Sequence, residues 1–306
     1  MNHNDNTVIT VINADDVTIG YGKTPVLTGL SVTVPDGGIH ALVGPNGSGK
    51  TTLLRSIAGQ HETNGGSLTV FDAPPFDNAE VMDRVVLMGA DVSLPRTWKG
   101  RRLLEIGEAR WATFDMARAL ELAELFDLDL DKKYSEYSTG QKSMLQVVIG
   151  LAARCPVTLL DEPYLGLDIE RRRVLYTELR ADVEQHPRTV ILSTHQLDDA
   201  AAVIDSVIVI GSRSLLFTAE VADLNEGVLS ATGPAFRIDA LVEALGSTGT
   251  VLAREKLTGQ ERVILDLRGA TADAIDSLWT KARELGVRVQ AADLEDAVTA
   301  LAGDAR

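Results

Sequence analysis

The sequence is poor in cysteine, in basic residues and in long apolar runs, and each shortage closes off a class of protein. With one cysteine, Cys155, in 306 residues, no internal disulfide can form, so a disulfide-held scaffold is excluded. Cys155 stands beside Pro156 ahead of an apolar run, the setting of a buried structural thiol rather than a reactive one. No stretch approaches the roughly 18 uncharged residues needed to cross a bilayer. The longest apolar run, Ser143 to Ala153, is closed by Lys142 and Arg154. Against 44 Asp and Glu there are only 29 Lys and Arg, a net charge of −15. Such a surface opposes non-specific binding to nucleic acid, because phosphates need cations to displace their counterions. The N-terminal Met1 to Asn6 is polar, without the basic start and apolar run of a secretory signal. The reducing cytosol is the expected compartment, and any work at a membrane requires another chain to span it.

What is present is ample for a folded core: 45% of residues are hydrophobic and 24% charged, enough for one large domain or two smaller ones. From Val8 to Val43 short apolar runs alternate with turn residues, and Pro35-Asp36-Gly37-Gly38 reads as a turn before the run Ile39 to Val43. A helix over Thr51 to Ala58 follows, stopped by Gly59. The middle, from about Thr97 to Ala153, reads as helical, with Trp111, Phe114, Leu122 and Leu125 at helical spacing over Arg110 to Phe126. Strand and helix then alternate: strand Val157 to Leu160, helix Ile169 to Gln185, strand Thr189 to Ser193, helix Leu197 to Ile204, strand Val207 to Ile210. Alternation of this kind implies a parallel sheet covered by helices. Past Gly227 the pattern becomes β-α-β-β-α-β, the split order of ferredoxin-like domains, closed by a helix over Leu294 to Leu301.

Two motifs carry chemistry. Gly44-Pro45-Asn46-Gly47-Ser48-Gly49-Lys50-Thr51 has the spacing of a phosphate-binding loop between a strand and a helix. Its glycines let backbone N–H groups turn inward around phosphates, and the helix N-terminus adds partial positive charge. Lys50 reaches toward the β- and γ-phosphates, and the Thr51 hydroxyl suits Mg²⁺; Thr52 continues the helix start. Further on, Asp161 and Glu162 end an apolar strand, where open α/β sheets place their ligands. Asp161 suits Mg²⁺ and Glu162 suits the orientation or deprotonation of an attacking water. Between these motifs, Ser138-Thr139-Gly140-Gln141 has the form of a capping box for the helix that follows. A helix start of that kind also offers N–H donors to a phosphate.

In this order and spacing the motifs resemble the nucleotide-binding subunits of ABC transporters, over roughly Asp15 to Gly211. The resemblance implies an α/β fold: a P-loop NTPase parallel sheet with an N-terminal antiparallel β subdomain and a helical subdomain at about 91–155. Residues 1–226 would form this ATP-binding domain and residues 227–306 a small α+β accessory domain. It also implies that Tyr21 stacks on adenine, that Gly166-Leu167-Asp168 is the D-loop, and that His195 contacts the γ-phosphate. Two such domains would sandwich ATP and Mg²⁺ head to tail, with Ser138 to Gln141 of one completing the site of the other. Partners would be a second ATP-binding subunit and a separate membrane permease, with no nucleic acid, at the cytoplasmic face of the membrane.

Two departures from the family pattern stand out. The signature usually reads Leu-Ser-Gly-Gly-Gln, and here Tyr137 and Thr139 replace its Leu and first Gly. The Q-loop glutamine is missing: Ala90 takes its place, and Asp91 is the nearest group able to contact Mg²⁺ or its waters. Arg96 to Arg102 forms a basic island around Trp98, either a solvated charged face or a docking surface for a membrane partner. The tail motif Leu294-Glu295-Asp296 resembles the ends of exporter ATPase subunits, which favours export of a drug, lipid or peptide. An importer ATPase is the alternative, and a non-transport ABC switch a third.

Overall fold

The computed structural model describes residues 9–89 and 92–304. Two compact units emerge, one reaching to His195 with Ile210–Leu215, the other Gln196–Val209 with Leu216 onward.

In the first unit, Thr10–Tyr21 (β1) and Thr24–Pro35 (β2) form a long antiparallel pair, turning at Gly22 and Lys23. Next come Ile39–Val43 (β3), Lys50–Ile57 (α1) and Gly65–Val70 (β4), which pairs antiparallel with the other side of β1. After Ala79–Met82 (α2) the chain enters Val85–Gly89 (β5). Three helices follow: Gly100–Arg110 (α3), Met116–Leu125 (α4) and Thr139–Ala152 (α5). Val157–Asp161 (β6), Ile169–Gln185 (α6) and Thr189–Thr194 (β7) complete the unit's main elements.

The second sheet of this unit is parallel, running β5-β6-β7-β3. Its strands are apolar almost throughout because both faces are covered. Register decides function here. Val43 lies opposite Thr194, Gly89 opposite Asp161, and Asp161 opposite Ser193. All four strands therefore end at one edge, where the segments that follow β3, β6 and β7 emerge together.

The helix predicted from the apolar spacing starts later than expected. The run Arg110 to Phe126 breaks after Arg110, and α4 starts only at Met116. The Asp115 carboxylate accepts from the Arg118 N–H at 2.9 Å and caps the new helix. Phe114 lies against Gly107, where a Cβ would fall 2.5 Å from its ring. Trp111 and Phe114 are partly buried without continuing a helix. Buried charge ties α4 to α6: Asp182, 2% exposed, accepts from Arg188 and, at 3.2 Å, from Arg118, which also reaches Glu178 at 2.8 Å.

The second unit begins with Leu197–Ala200 (α7), a single turn where a helix to Ile204 was expected. Beyond Ala200 the chain tightens, with the Val203 N–H bonding the Ala200 carbonyl at 2.9 Å. Ser206–Gly211 (β8) and Ser214–Glu220 (β9) contribute residues to both units. Then come Val221–Gly227 (α8), Val228–Gly233 (β10), Ala235–Leu245 (α9), Thr250–Leu257 (β11), Gln260–Asp266 (β12), Ala272–Leu285 (α10), Arg288–Ala291 (β13) and Leu294–Asp304 (α11). The last four strands make an antiparallel sheet in the order β11-β12-β10-β13.

Val263, Leu265, Leu267, Leu278 and Val287 join Leu229, Ile238 and Leu241 in the core of this unit, with Ile275 at its margin. Ile264 is buried outside that cluster, because side chains alternate across a strand. The Leu294-Glu295-Asp296 motif starts α11: Leu294 is buried, Asp296 accepts from Arg262 at 2.7 Å, and Asp198 accepts from the Glu295 N–H at 3.1 Å. Among the described residues no helix is long and apolar enough to cross a membrane.

Candidate functional site

The glycine loop leaves β3 at Val43 and enters α1 at Lys50. Gly49 precedes that helix with φ 105°, left-handed backbone that disfavours any side chain, and a Cβ there would fall 2.8 Å from Leu27. No side chain caps α1, so its first-turn N–H groups have neither a cap nor an intrahelical acceptor. The buried Ser48 hydroxyl also has no partner. Lys50 turns back over the loop, donating to the carbonyls of Gly44 at 2.8 Å and Pro45 at 3.3 Å. Burial holds its amine below the usual lysine range, while Glu162 and Asp161 push the other way.

Asp161 faces this loop from the end of β6. Its Oδ2 accepts from the Thr51 hydroxyl at 2.6 Å and its Oδ1 from the Ser193 hydroxyl at 2.5 Å. Ser193 in turn accepts from the Glu162 N–H at 2.9 Å. Glu162 has φ 48°, an uncommon conformation for a residue with a side chain, held here by its surroundings. Asn46, Gly47, Lys50, Thr51, Asp161 and Glu162 line a common open cavity of about 470 Å³, with Gly49, Thr52 and Val26. His195, half exposed after β7, brings Nδ1 to 3.5 Å from Glu162 Oε1. A loop of amides and a lysine thus shares one cleft with two carboxylates, and an imidazole lies beside one of them.

The remaining predicted residues lie outside that cavity lining. Tyr21 is half exposed at the end of β1, its ring 4.7 Å from the His61 ring. Ser138 caps α5 in a complete capping box: its hydroxyl accepts from the Gln141 N–H at 3.2 Å, and Gln141 Oε1 accepts from the Ser138 N–H at 3.1 Å. The helix begins at Thr139, directly after this cap. Gly140 is buried, and a Cβ there would meet the Gly166 carbonyl at 2.4 Å. This glycine lets Ser138 to Gln141 pack against Gly166-Leu167-Asp168. Asp168 caps α6 by accepting from the Arg171 N–H at 2.8 Å. Ala90 and Asp91 lie outside the described residues. In the basic island, Lys99 pairs with Asp131 and Arg102 with Glu105, beside a 38% exposed Trp98.

Sequence reasoning missed Ser193 and Tyr164. Ser193 carried one legible signal, a hydroxyl at the C-terminal end of an otherwise apolar strand. Tyr164 carried none, since its partner lies 31 residues away.

The ABC transporter family matches residues 27–165. The daunorubicin resistance ATP-binding protein DrrA3 of Streptomyces coeruleorubidus is 32% identical over 256 residues, covering 82% of this chain and 79% of that protein. The chain belongs to the ABC transporter ATP-binding subunits. The sulfate/thiosulfate import ATP-binding protein CysA of Yersinia pestis is 28% identical, covering 92% of this chain and 79% of that one. Among solved structures, the dimeric post-hydrolysis state of the ATP-binding cassette MJ0796 bound to ADP and Pi superposes with a TM-score of 0.61. Its identity is 19%, over 69% of this chain and 98% of that chain. This ABC subunit is accordingly an ATPase of the class coupled to transport, on the cassette fold expected from its motifs.

Proposed function

We propose that this subunit binds Mg²⁺-ATP in the cleft between the glycine loop and Asp161-Glu162, and hydrolyses it to drive a separate membrane permease. The observation that carries the reading is the shared cavity itself, with Lys50, Thr51, Asp161 and Glu162 on its walls. The residues fit the ligand. The partnerless Ser48 hydroxyl and the uncapped start of α1 are donors awaiting an anion. Among the described residues no group of three or more His, Cys, Asp or Glu gathers to hold a metal. That agrees with Mg²⁺, which takes one or two protein oxygens and completes its shell with phosphates and water.

In this reading Gly44 to Gly49 wrap the phosphates, with Pro45 and Asn46 shaping the turn, and Lys50 contacts the β- and γ-phosphates. Thr51 and Asp161 hold Mg²⁺, which when bound neutralises phosphate charge. Glu162 orients or deprotonates the attacking water. His195 contacts the γ-phosphate, Tyr21 stacks on adenine, and Asp91 takes the place of the Q-loop glutamine. Ser138 to Gln141 and Asp168 stand outside the cavity because they serve the site of a second copy. The dimeric solved cassette, bound to ADP and Pi, supports such a pairing. Residues 227–306 act as an accessory domain in dimer contact or regulation, and the complex sits at the cytoplasmic face of the membrane.

Export is the favoured direction, supported by the drug-resistance relative at 32% identity. The import relative, matched over 92% of this chain, supports the second reading. Purification from membranes, identification of the permease that accompanies the chain, and ATP-driven flux in inside-out vesicles test the proposal. Accumulation inside such vesicles marks an exporter. A chain that never associates with a permease contradicts the transport role.

A further inference from the structure

Tyr164 is 1% exposed, two residues beyond Glu162, with its hydroxyl against the residue that follows β7. Three groups meet its oxygen. The His195 backbone N–H donates to it at 3.2 Å, the Thr194 side chain hydrogen-bonds with it, and His195 Nδ1 lies 2.6 Å away. A neutral phenol has one proton to give and two lone pairs to offer. The backbone amide takes one lone pair, and the short 2.6 Å contact directs the phenol's own proton to Nδ1. Burial pushes this phenol up to about 12, with Glu162 adding to the shift and the bonds from His195 and Thr194 opposing it. The proton therefore stays on Tyr164 at neutral pH. The ring plane is fixed as well: the Tyr164 and His195 rings meet edge to face at 5.3 Å, and Arg172 lies 5.7 Å from the Tyr164 ring centre.

From this geometry we infer that Tyr164 is a positioning residue that sets the tautomer of His195, leaving Nδ1 as a bare acceptor and placing the ring's proton on Nε2. Which nitrogen of a neutral imidazole carries the proton is decided by the bond the other one makes. Two consequences follow for the reaction, both resting on the reading of His195 as the γ-phosphate contact. The far nitrogen is a ready donor toward an anionic oxygen. The near nitrogen, 3.5 Å from Glu162 Oε1, has no proton to offer, so the carboxylate stays free for water. Without the phenol, the proton can move to Nδ1 and draw Glu162 into a bond with the imidazole. That bond would occupy the base and turn the donor away from phosphate at once.

The test begins with the unaltered full-length protein, labelled with ¹⁵N at histidine, its His195 signals identified by their loss in His195→Gln. The expected spectrum shows Nε2 protonated and Nδ1 bare; a protonated Nδ1 overturns the inference without any need for a variant at Tyr164. Tyr164→Phe, checked for folding by circular dichroism, should give a mixed or reversed tautomer. Its kcat should fall about 10-fold, as when a partner orienting a functional histidine is removed, with KM for ATP little changed. An unchanged kcat, or a loss confined to KM, contradicts the positioning role. His195→Ala separates the two layers. Normal hydrolysis by that variant removes His195 from the reaction and ends the catalytic half of the proposal, while the tautomer assignment stands or falls on the spectrum alone.

Discussion

The Ser193 hydroxyl donates to Asp161 across neighbouring strands at 2.5 Å and accepts from the Glu162 N–H at 2.9 Å. One small side chain thus fixes the carboxylate proposed for Mg²⁺ and the backbone of the carboxylate proposed for water. Ser193→Ala removes both bonds without adding bulk. Outer groups of this kind are worth about 10- to 100-fold in metal affinity or activity. The expected result is a hydrolysis rate lower by at least about 10-fold, partly restored by raised Mg²⁺, with the fold intact. Steady-state ATPase assays across a Mg²⁺ titration check it.

Tyr21 presents a half-exposed ring at the end of β1, near the start of β2, where Val26 lines the cavity proposed for ATP. If the ring stacks on adenine, Tyr21→Ala weakens ATP binding by about 1–3 kcal/mol and reduces discrimination between ATP and a pyrimidine nucleotide. Calorimetric titration with both nucleotides reads this directly. A change below a few tenths would leave Tyr21 as a packing partner of His61 alone.

Much of the cassette is legible in the sequence because its signals are local. Glycine spacing, an apolar run before it and a carboxylate pair after another such run are each written within about ten residues. Helix α6 matches its predicted range, Ile169 to Gln185, because a capping Asp168 starts it. The break at Trp111 to Asp115 was illegible, since Trp111 and Phe114 keep helical spacing while packing as a loop. Ser193 and Tyr164 were missed for a different reason. Their partners are brought in by strand register, and no pattern within one segment records it.

Asp182 and Arg188 are 2% and 4% exposed, and Asp182 also holds Arg118 of α4. Asp182→Ala leaves a buried guanidinium without its carboxylate. Breaking a buried pair from one side costs about 3–5 kcal/mol. Urea denaturation of the variant should show a loss of that order, while loss under about 1 kcal/mol would place the network at the surface energetically.

Cys155 is fully buried, and burial pushes its thiol up from 9.0 to about 12, against the pull of Arg110 and Arg188. The sign follows from linkage. Above pH 9 the unfolded chain releases a proton that the folded chain keeps, so stability falls as pH rises from about 9 toward 12 and is untouched below. Tyr137 and Tyr164, each raised to about 12 by burial from 10.0, add to the same decline above pH 10. Denaturation midpoints from pH 8 to 10.5 should fall, and Cys155→Ala should flatten the part between pH 9 and 10. The native thiol should resist alkylating reagents that label it fully in urea.

The most direct measurement concerns Glu162, held at φ 48° beside Asp161 on the wall of the cavity proposed for ATP. Glu162→Gln keeps size and hydrogen-bonding reach but removes the proposed base, and a base typically contributes about 10² to 10⁴ in rate. Single-turnover hydrolysis and ATP binding are measured on the same preparation, with gel filtration in ATP. The account predicts that ATP binding is retained, hydrolysis falls by at least about 10², and ATP holds the variant as a dimer. Hydrolysis near the unaltered rate, with ATP bound normally, would contradict it.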